Sequence, residues 1–304
     1  MRIFKNRGDI YIPSTKFKSD LEQKILLMLL AFGVAFTFAF LVIIGIKYDF
    51  SIKNFFAPSN AVTQENNEIV KLPEISGKTN FLFIMNNSST DEMYFCSLIQ
   101  VDMDNIAYKV CTLDKNTDSD GKKLADIYSK GGAGNVVNAV KTLLGIEIDY
   151  YIDESVDEYK KMYDAFGSIN YVVLNEIRYK DTSTYGFNIK LKAGNQTVNG
   201  DLASKLIRYY LSEKNYDTVN EILFTALSQQ INPENYEKKE KLFSSLIELS
   251  KTNITITDYT KSENALKVLS SETTGVNVYS VVPVYKSGKL TSESLDNIKG
   301  YFSK

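Results

Sequence analysis

The chain has 304 residues, 44% of them hydrophobic, with 35 basic and 37 acidic residues, a net charge of -2 and no His or Trp. That length can bury a sizeable core and suits one large domain or two small ones. A near-neutral balance gives no bulk attraction for nucleic acid, and the lack of His excludes a Ser/His/Asp triad, a Cys/His dyad and a histidine zinc site. Acid-base or metal chemistry must therefore use carboxylates, Lys, Tyr or Cys.

Residues 1–24 are polar and basic, with Arg2, Lys5, Arg7, Lys16, Lys18 and Lys24. Residues 25–46 then run without a charge. At about 1.5 Å per residue this crosses a hydrocarbon core of about 30 Å, so a transmembrane helix is predicted. A signal peptide would have a shorter apolar region and a small-residue cleavage site. The basic bias ahead of the helix leaves the N-terminus cytoplasmic and everything beyond residue 46 outside the cell, with the membrane as one partner. Residues 47–77 have no sustained period and are rich in Asn, Ser and Pro, as a linker would be; residues 78–304 form the extracytoplasmic domain.

Asn80 to Met85 is a continuous apolar run, which predicts a buried strand, and Asn86 to Glu92 a polar loop. Met93 to Val101 and Ile106 to Leu113 around Asp102-Met103-Asp104-Asn105 predict a hairpin. If Val101 faces Ile106, Cys96 faces Cys111, close enough for a cross-strand disulfide in an oxidising exterior. The other reading is a pair of buried thiols, favoured because the chain has no further cysteines to make a disulfide framework.

The stretch 135–174 carries the clearest pattern. Val136, Val137, Val140, Leu143 and Leu144 share one helix face, and Gly145 supplies a left-handed stop. Ile146, Ile148, Tyr150 and Ile152 then alternate with polar residues, as in a strand. Ser155 caps a second helix with stripe Val156, Tyr159, Met162, Tyr163 and Phe166, stopped by Gly167 before the strand INYVVL. The unit reads α-β-α-β.

Downstream, LASKLIRYY, residues 217–231 and residues 234–250 read as helices. Ile254 and Ile256 alternate with threonines in a short strand or connector, with both isoleucines inward. Residues 262–270 suggest a short helix. Val276 to Tyr285 reads as a strand whose Pro283 implies an edge or an end, and Ser292 caps a final helix over Glu293 to Phe302. The class is α/β, three layers with a mixed sheet between helices.

These residues carry a resemblance. Leu143-Leu144-Gly145-Ile146, Ile148-Asp149-Tyr150-Tyr151 and Asp164-Ala165-Phe166-Gly167 resemble the middle of the LytR-CpsA-Psr family. Tyr128-Ser129-Lys130-Gly131-Gly132 after Lys123-Leu124 resembles its Lys-Ile-Asn-x-x-Tyr-x-x-Gly-Gly run. Gly194, Val198-Asn199-Gly200, Ala203 and Leu206-Ile207-Arg208 resemble its Gly-x-x-x-Leu-x-Gly segment leading to Tyr-Val-Arg. The similarity covers roughly residues 78 to 304. It implies a membrane-anchored, extracytoplasmic domain of a Gram-positive bacterium that moves glycopolymers from polyprenyl-pyrophosphate carriers to the cell wall. Arginines would hold the diphosphate and aspartates a divalent cation.

At those positions the chain departs from the family. The family's Arg-Ser-Asp-Thr aligns with Glu92-Met93-Tyr94-Phe95, with Asp91 able to replace the aspartate only if the loop shifts. Its Ile-Pro-Arg-Asp-Thr aligns with Leu113-Asp114-Lys115-Asn116-Thr117. After Arg208 its second arginine is Tyr210, and Asp217 to Phe224 has no basic residue. The resemblance leaves Lys115, Lys123, Lys130 and Arg208 as phosphate candidates and Asp91 and Asp114 as candidates for Mg²⁺ or Mn²⁺; solvated lysines and turn carboxylates are the plainer readings.

Three functions compete. One is a degenerate member that binds polyprenyl phosphate lipid, or regulates envelope proteins and polymers, without catalysis. The second is an active glycopolymer phosphotransferase. The third is a structural envelope protein with no lipid ligand. The lost arginines favour the first.

Overall fold

The structure, a computed structural model, describes residues 75–303 apart from 184–185 and 272–273. The predicted transmembrane helix and nearly all of the linker lie outside these residues. Among the described residues no helix is long and apolar enough to cross a membrane.

The chain begins with β1 (Lys78–Asn87), β2 (Glu92–Asp102), β3 (Ala107–Asp114), β4 (Asp118–Ser119), β5 (Lys122–Lys123) and α1 (Leu124–Leu144). Next come β6 (Tyr150–Ser155), α2 (Val156–Phe166), β7 (Ile169–Val173), β8 (Ile177–Lys180), β9 (Asn188–Leu191) and β10 (Gly194–Val198). The remainder is α3 (Gly200–Ser212), α4 (Tyr216–Gln230), α5 (Pro233–Glu237), α6 (Lys239–Leu249), β11 (Lys251–Thr252) and α7 (Ile256–Leu269). It ends in β12 (Asn277–Ser280), β13 (Tyr285–Lys286), β14 (Lys289–Leu290) and α8 (Ser292–Ser303).

A six-stranded sheet, ordered β11-β6-β1-β2-β3-β12, forms the middle layer. It is mixed: β1 runs antiparallel to β2 but parallel to β6, and β12 runs parallel to β3. Alternation along the strands builds two cores. Leu82, Ile84, Cys96, Leu98, Cys111 and Leu113 pack on α1 and α8. Phe83, Met85, Phe95 and Val110 pack on α2, α3 and α4. The three-layer α/β/α arrangement is therefore present.

Ser155 caps α2 as predicted: its hydroxyl accepts from Glu158 N, and the Glu158 carboxylate accepts from Ser155 N at 2.7 Å, a reciprocal capping box. Gly145 ends α1 at φ 63°, a conformation that costs a side chain at Cβ and costs glycine nothing. α1 starts eleven residues before Asn135 and bends at Gly132, where φ is 65°.

Several expectations are corrected. The strand predicted from Ile146 begins at Tyr150 and runs to Ser155, because Asn80 binds the backbone at Glu147 and Asp149 before the ladder starts. Ile146 and Ile148 consequently belong to the α1 core, whereas Ile152 packs on the opposite face. The helix over 234–250 is two, broken at Lys238, with Asn235 donating to Phe166 O and Gln230 O. The connector at Ile254 gives way to α7, because Thr255 and Asp258 form a second capping box that starts a helix at Ile256 and leaves its side chain 64% exposed. The last helix is capped by Thr291, whose Oγ1 accepts from Ser294 N, one residue before the predicted Ser292.

The hairpin register differs too. Asp102, not Val101, closes the ladder, opposite Ala107, because its carboxylate accepts from Asp104 N and Asn105 N and wraps the turn. The shift places Cys96 opposite Leu113 and Cys111 opposite Leu98, so the two sulfurs do not face each other. Both are free thiols in the α1 core. Burial first, and the charge of Asp114 second, push the Cys96 thiol up to about 12; burial raises Cys111 further. Since the thiolate is the reactive form, we expect a thiol reagent to label neither cysteine in the native protein and both after guanidinium unfolding, as mass spectrometry of labelled protein would show.

Candidate functional site: a cation cluster beside an apolar hollow

Two of the predicted phosphate candidates reach the strand ends where β1 ends, β2 begins and β3 ends, Lys115 through Glu92 and Arg208 through Tyr94. Here β2 carries a bulge: Met85 pairs with Phe95 and Asn86 with Met93, leaving Tyr94 without a partner residue. The extra residue switches the parity, so Met93 and Cys96 share the α1 face while Phe95 points to the other. Tyr94 is thereby aimed at α3, its hydroxyl accepting from Asn87 Nδ2 at 3.2 Å.

Arg208, on α3, stacks 4.1 Å above the Phe187 ring and 5.7 Å from Tyr94, and its Nε donates to Ser204 O. Two aromatic faces are a favourable seat for a guanidinium. Lys115 forms an ion pair with Glu92 across the β2–β3 ladder. Asp114 is committed as well: Oδ2 accepts from Tyr216 OH at 2.6 Å and Oδ1 from Asn116 N. Burial, reinforced by that bond to Asp114, raises the Tyr216 phenol well above its usual range. Lys115 is thus already paired with a carboxylate, and Arg208 is already seated on two rings.

Among the described residues the remaining candidates make no side-chain contact with Lys115, although Asp91 precedes its partner Glu92 and the Lys115 carbonyl accepts from Ala125 N, two residues past Lys123. Lys123 sits at the N-cap of α1 in the β4–β5 ribbon and Lys130 within α1, both exposed, and no side-chain contact among the described residues ties either to Lys115 or Arg208. Asp91 is exposed at the tip between β1 and β2, at φ 50°. Among the described residues no three acidic or Cys side chains converge as a metal site. Both oxygens of Asp114 already accept hydrogen bonds, so Mg²⁺ or Mn²⁺ there would share them with Tyr216 and Asn116.

The resemblance carries lipid binding as an expectation, but sequence reasoning named no residue of a hollow that could hold the lipid. Between the sheet and α2, α4, α6 and α7 lies a cavity of about 620 Å³, within the range of small-molecule sites. Its walls are apolar, with Phe81, Ile99, Ile152, Leu227, Phe243 and Leu266 prominent among them. Phe83 lines it and packs on Phe95 and Tyr159 with ring centroids 5.9 and 5.8 Å away. From Phe83 to the Met85/Asn86 junction, beside which the bulge leaves Tyr94, is about three residues, roughly 10 Å at ~3.3 Å each. No local signal announces such a space, because its walls come from five segments of the chain.

The structure is thus an α/β domain with an apolar hollow between its mixed sheet and its helices. The chain belongs to the LytR_cpsA_psr family, whose model matches residues 74–297. It is 28% identical over 177 residues to TagV of Bacillus subtilis (strain 168), a polyisoprenyl-teichoic acid--peptidoglycan teichoic acid transferase; the match takes in 53% of this chain and 45% of TagV, so it spans about half of that relative's length. The solved TagV structure superposes at a TM-score of 0.59 with 20% identity, covering 75% of this chain and 97% of that one. A protein of Eubacterium siraeum DSM 15702 reaches a TM-score of 0.67 at 16% identity, over 81% of this chain and 99% of the other. A structure of TagT bound to LI-WTA gives 0.55 at 15% identity, over 74% and 89%.

Proposed function

We propose that this protein works in cell-wall polymer assembly as a membrane-anchored, extracytoplasmic lipid-binding or regulatory factor that houses a polyprenyl tail without transferring its cargo. The observation that carries the reading is the apolar hollow, beside which Lys115 is already paired with Glu92. A tail fits the hollow, while a diphosphate beside it meets Lys115 already paired and Arg208 already stacked. The name of TagV supports the polymer class; the lost arginines argue against its chemistry. Each absent bidentate contact forgoes roughly 1.5–3 kcal/mol.

A second reading, transfer by Lys115 and Arg208, rests on their gathering at the same end of the sheet. Purified protein given a polyprenyl-diphosphate-linked saccharide and Mg²⁺ or Mn²⁺ separates the readings. Retention of lipid without release of polyprenyl phosphate supports the proposal, turnover supports transfer, and neither leaves a structural envelope protein.

The Glu92 pairing makes its own prediction. Glu92→Gln removes the carboxylate from Lys115, and the affinity for inorganic diphosphate should rise about three- to tenfold, the modest gain expected for a partly exposed lysine. Isothermal titration calorimetry of wild type and variant would measure it, and equal affinities would show that Lys115 does not face the ligand.

A further inference from the structure

Glu154 is an acid in the wall of the hollow that the proposed function leaves unused. It sits on β6 opposite Met85, and only 3% of its surface is exposed. It lines the cavity among Phe83, Ile152, Tyr159 and Met162. Its Oε1 accepts from Ser250 Oγ at 2.6 Å, at the C-cap of α6. That hydroxyl also ties the α6–α7 side of the hollow to the sheet.

The groups around it do not supply a counter-charge. From α2 come Tyr159, buried, and Glu158, whose charge opposes ionisation; from its own strand comes Asp153, which does the same and is itself bound to Asn86 and Tyr128. The strand β11 brings Lys251, whose charge acts on Asp153, and β1 brings only Phe83 and Met85. Farther along the hollow stand Lys78, Tyr150, Asp258, Tyr259 and Lys261. Among the described residues no base forms an ion pair with Glu154.

We infer that Glu154 is a proton-linked gate on the hollow: an apolar chain is held when this carboxyl is neutral and expelled when it ionises. The inference rests on the hollow being the lipid site. An ionised carboxylate facing a dry cavity requires water that a hydrocarbon chain displaces, so ligand and ionisation exclude each other. Burial, opposed by the Ser250 bond, pushes Glu154 up to about 7, which places the switch near neutrality. Occupancy then takes up a proton, and apparent affinity falls about tenfold for each pH unit above the transition.

The test uses the full chain in detergent and radiolabelled geranylgeraniol, an isoprenoid alcohol with no group that titrates near neutrality, measured by retention through desalting from pH 6 to 9. Wild type should retain it below neutrality and lose it about tenfold per unit above, whereas Glu154→Gln should retain it at every pH. Ser250→Ala removes a bond that favours the ionised form, so its profile should move to higher pH. A flat wild-type profile, a parallel fall in Glu154→Gln or an unshifted Ser250→Ala profile would overturn the gate while leaving the lipid site intact. No retention at any pH would overturn both.

Discussion

Replacing Lys109 with Met should destabilise the fold by about 3–5 kcal/mol, the usual cost of removing one partner of a buried ion pair. Lys109 is 6% exposed and Asp102 fully buried, with Nζ 3.0 Å from Oδ2. Nζ also donates to Tyr301 O, and Gln100 to Phe302 O, so the pair holds the C-terminal end of α8 against the sheet. Met fills the space of the lysine stem but strands the carboxylate and those helix carbonyls. For a domain of this size the loss lowers Tm by roughly 6–20 °C. Urea unfolding at neutral pH would measure it, and a change under about 1 kcal/mol would show that the ammonium does not balance Asp102.

The pH dependence follows from the same carboxylate. Burial pushes Asp102 up, but bonds from Asn105 and Lys109 outweigh it and hold the group below its usual range. A depressed carboxylate contributes stability that is present above the unfolded value, about 3.9, and is lost as pH falls through the folded one. Without Lys109 that contribution shrinks or reverses, so the gap between wild type and variant should narrow as pH falls below about 4. Adding Asp102→Asn, which keeps an oxygen for the turn, should recover much of the loss.

Much of this architecture was legible where one local rule acted alone. Ser155 three residues before Glu158, and Gly145 and Gly167 after their helices, mark ends that backbone geometry enforces wherever they occur. Reading failed where two rules overlapped. Thr255 and Asp258 have cap spacing, but Ile254 and Ile256 alternate as a strand would, and the cap prevailed because it satisfies helix donors that a two-residue ladder at β11 leaves open. The hairpin register turned on whether Asp102 belonged to the turn or the ladder, and its side chain makes it serve both.

Of the site, the sequence named Lys115 and Arg208 because their neighbours match family patterns. It was silent on Glu92 as the partner of Lys115 and on Phe187 beneath Arg208, since these contacts depend on strand pairing and loop placement. The bulge at Tyr94 has no signature in Glu92-Met93-Tyr94-Phe95 beyond one residue too many for the ladder. Lys109 and Tyr301, 192 positions apart, meet only after the sheet and last helix dock.

Ala226→Trp should abolish retention of long isoprenoids while leaving the fold intact. Ala226 lies on α4, with Leu223 and Leu227 beside it in the wall of the hollow, and is 8% exposed. Most core positions reject an indole because density there is already complete. Here the ring enters space that exists, so stability should change by no more than about 1–3 kcal/mol. If the indole displaces about four methylene equivalents of ligand at about 0.8 kcal/mol each, affinity falls by about 3 kcal/mol, more than a hundredfold. The loss should depend on chain length: geraniol, short enough for the remaining space, should lose less than geranylgeraniol, which needs the whole cavity. Equal losses for both alcohols, or none, would place binding elsewhere, because only a chain long enough to reach α4 can sense a side chain inserted there.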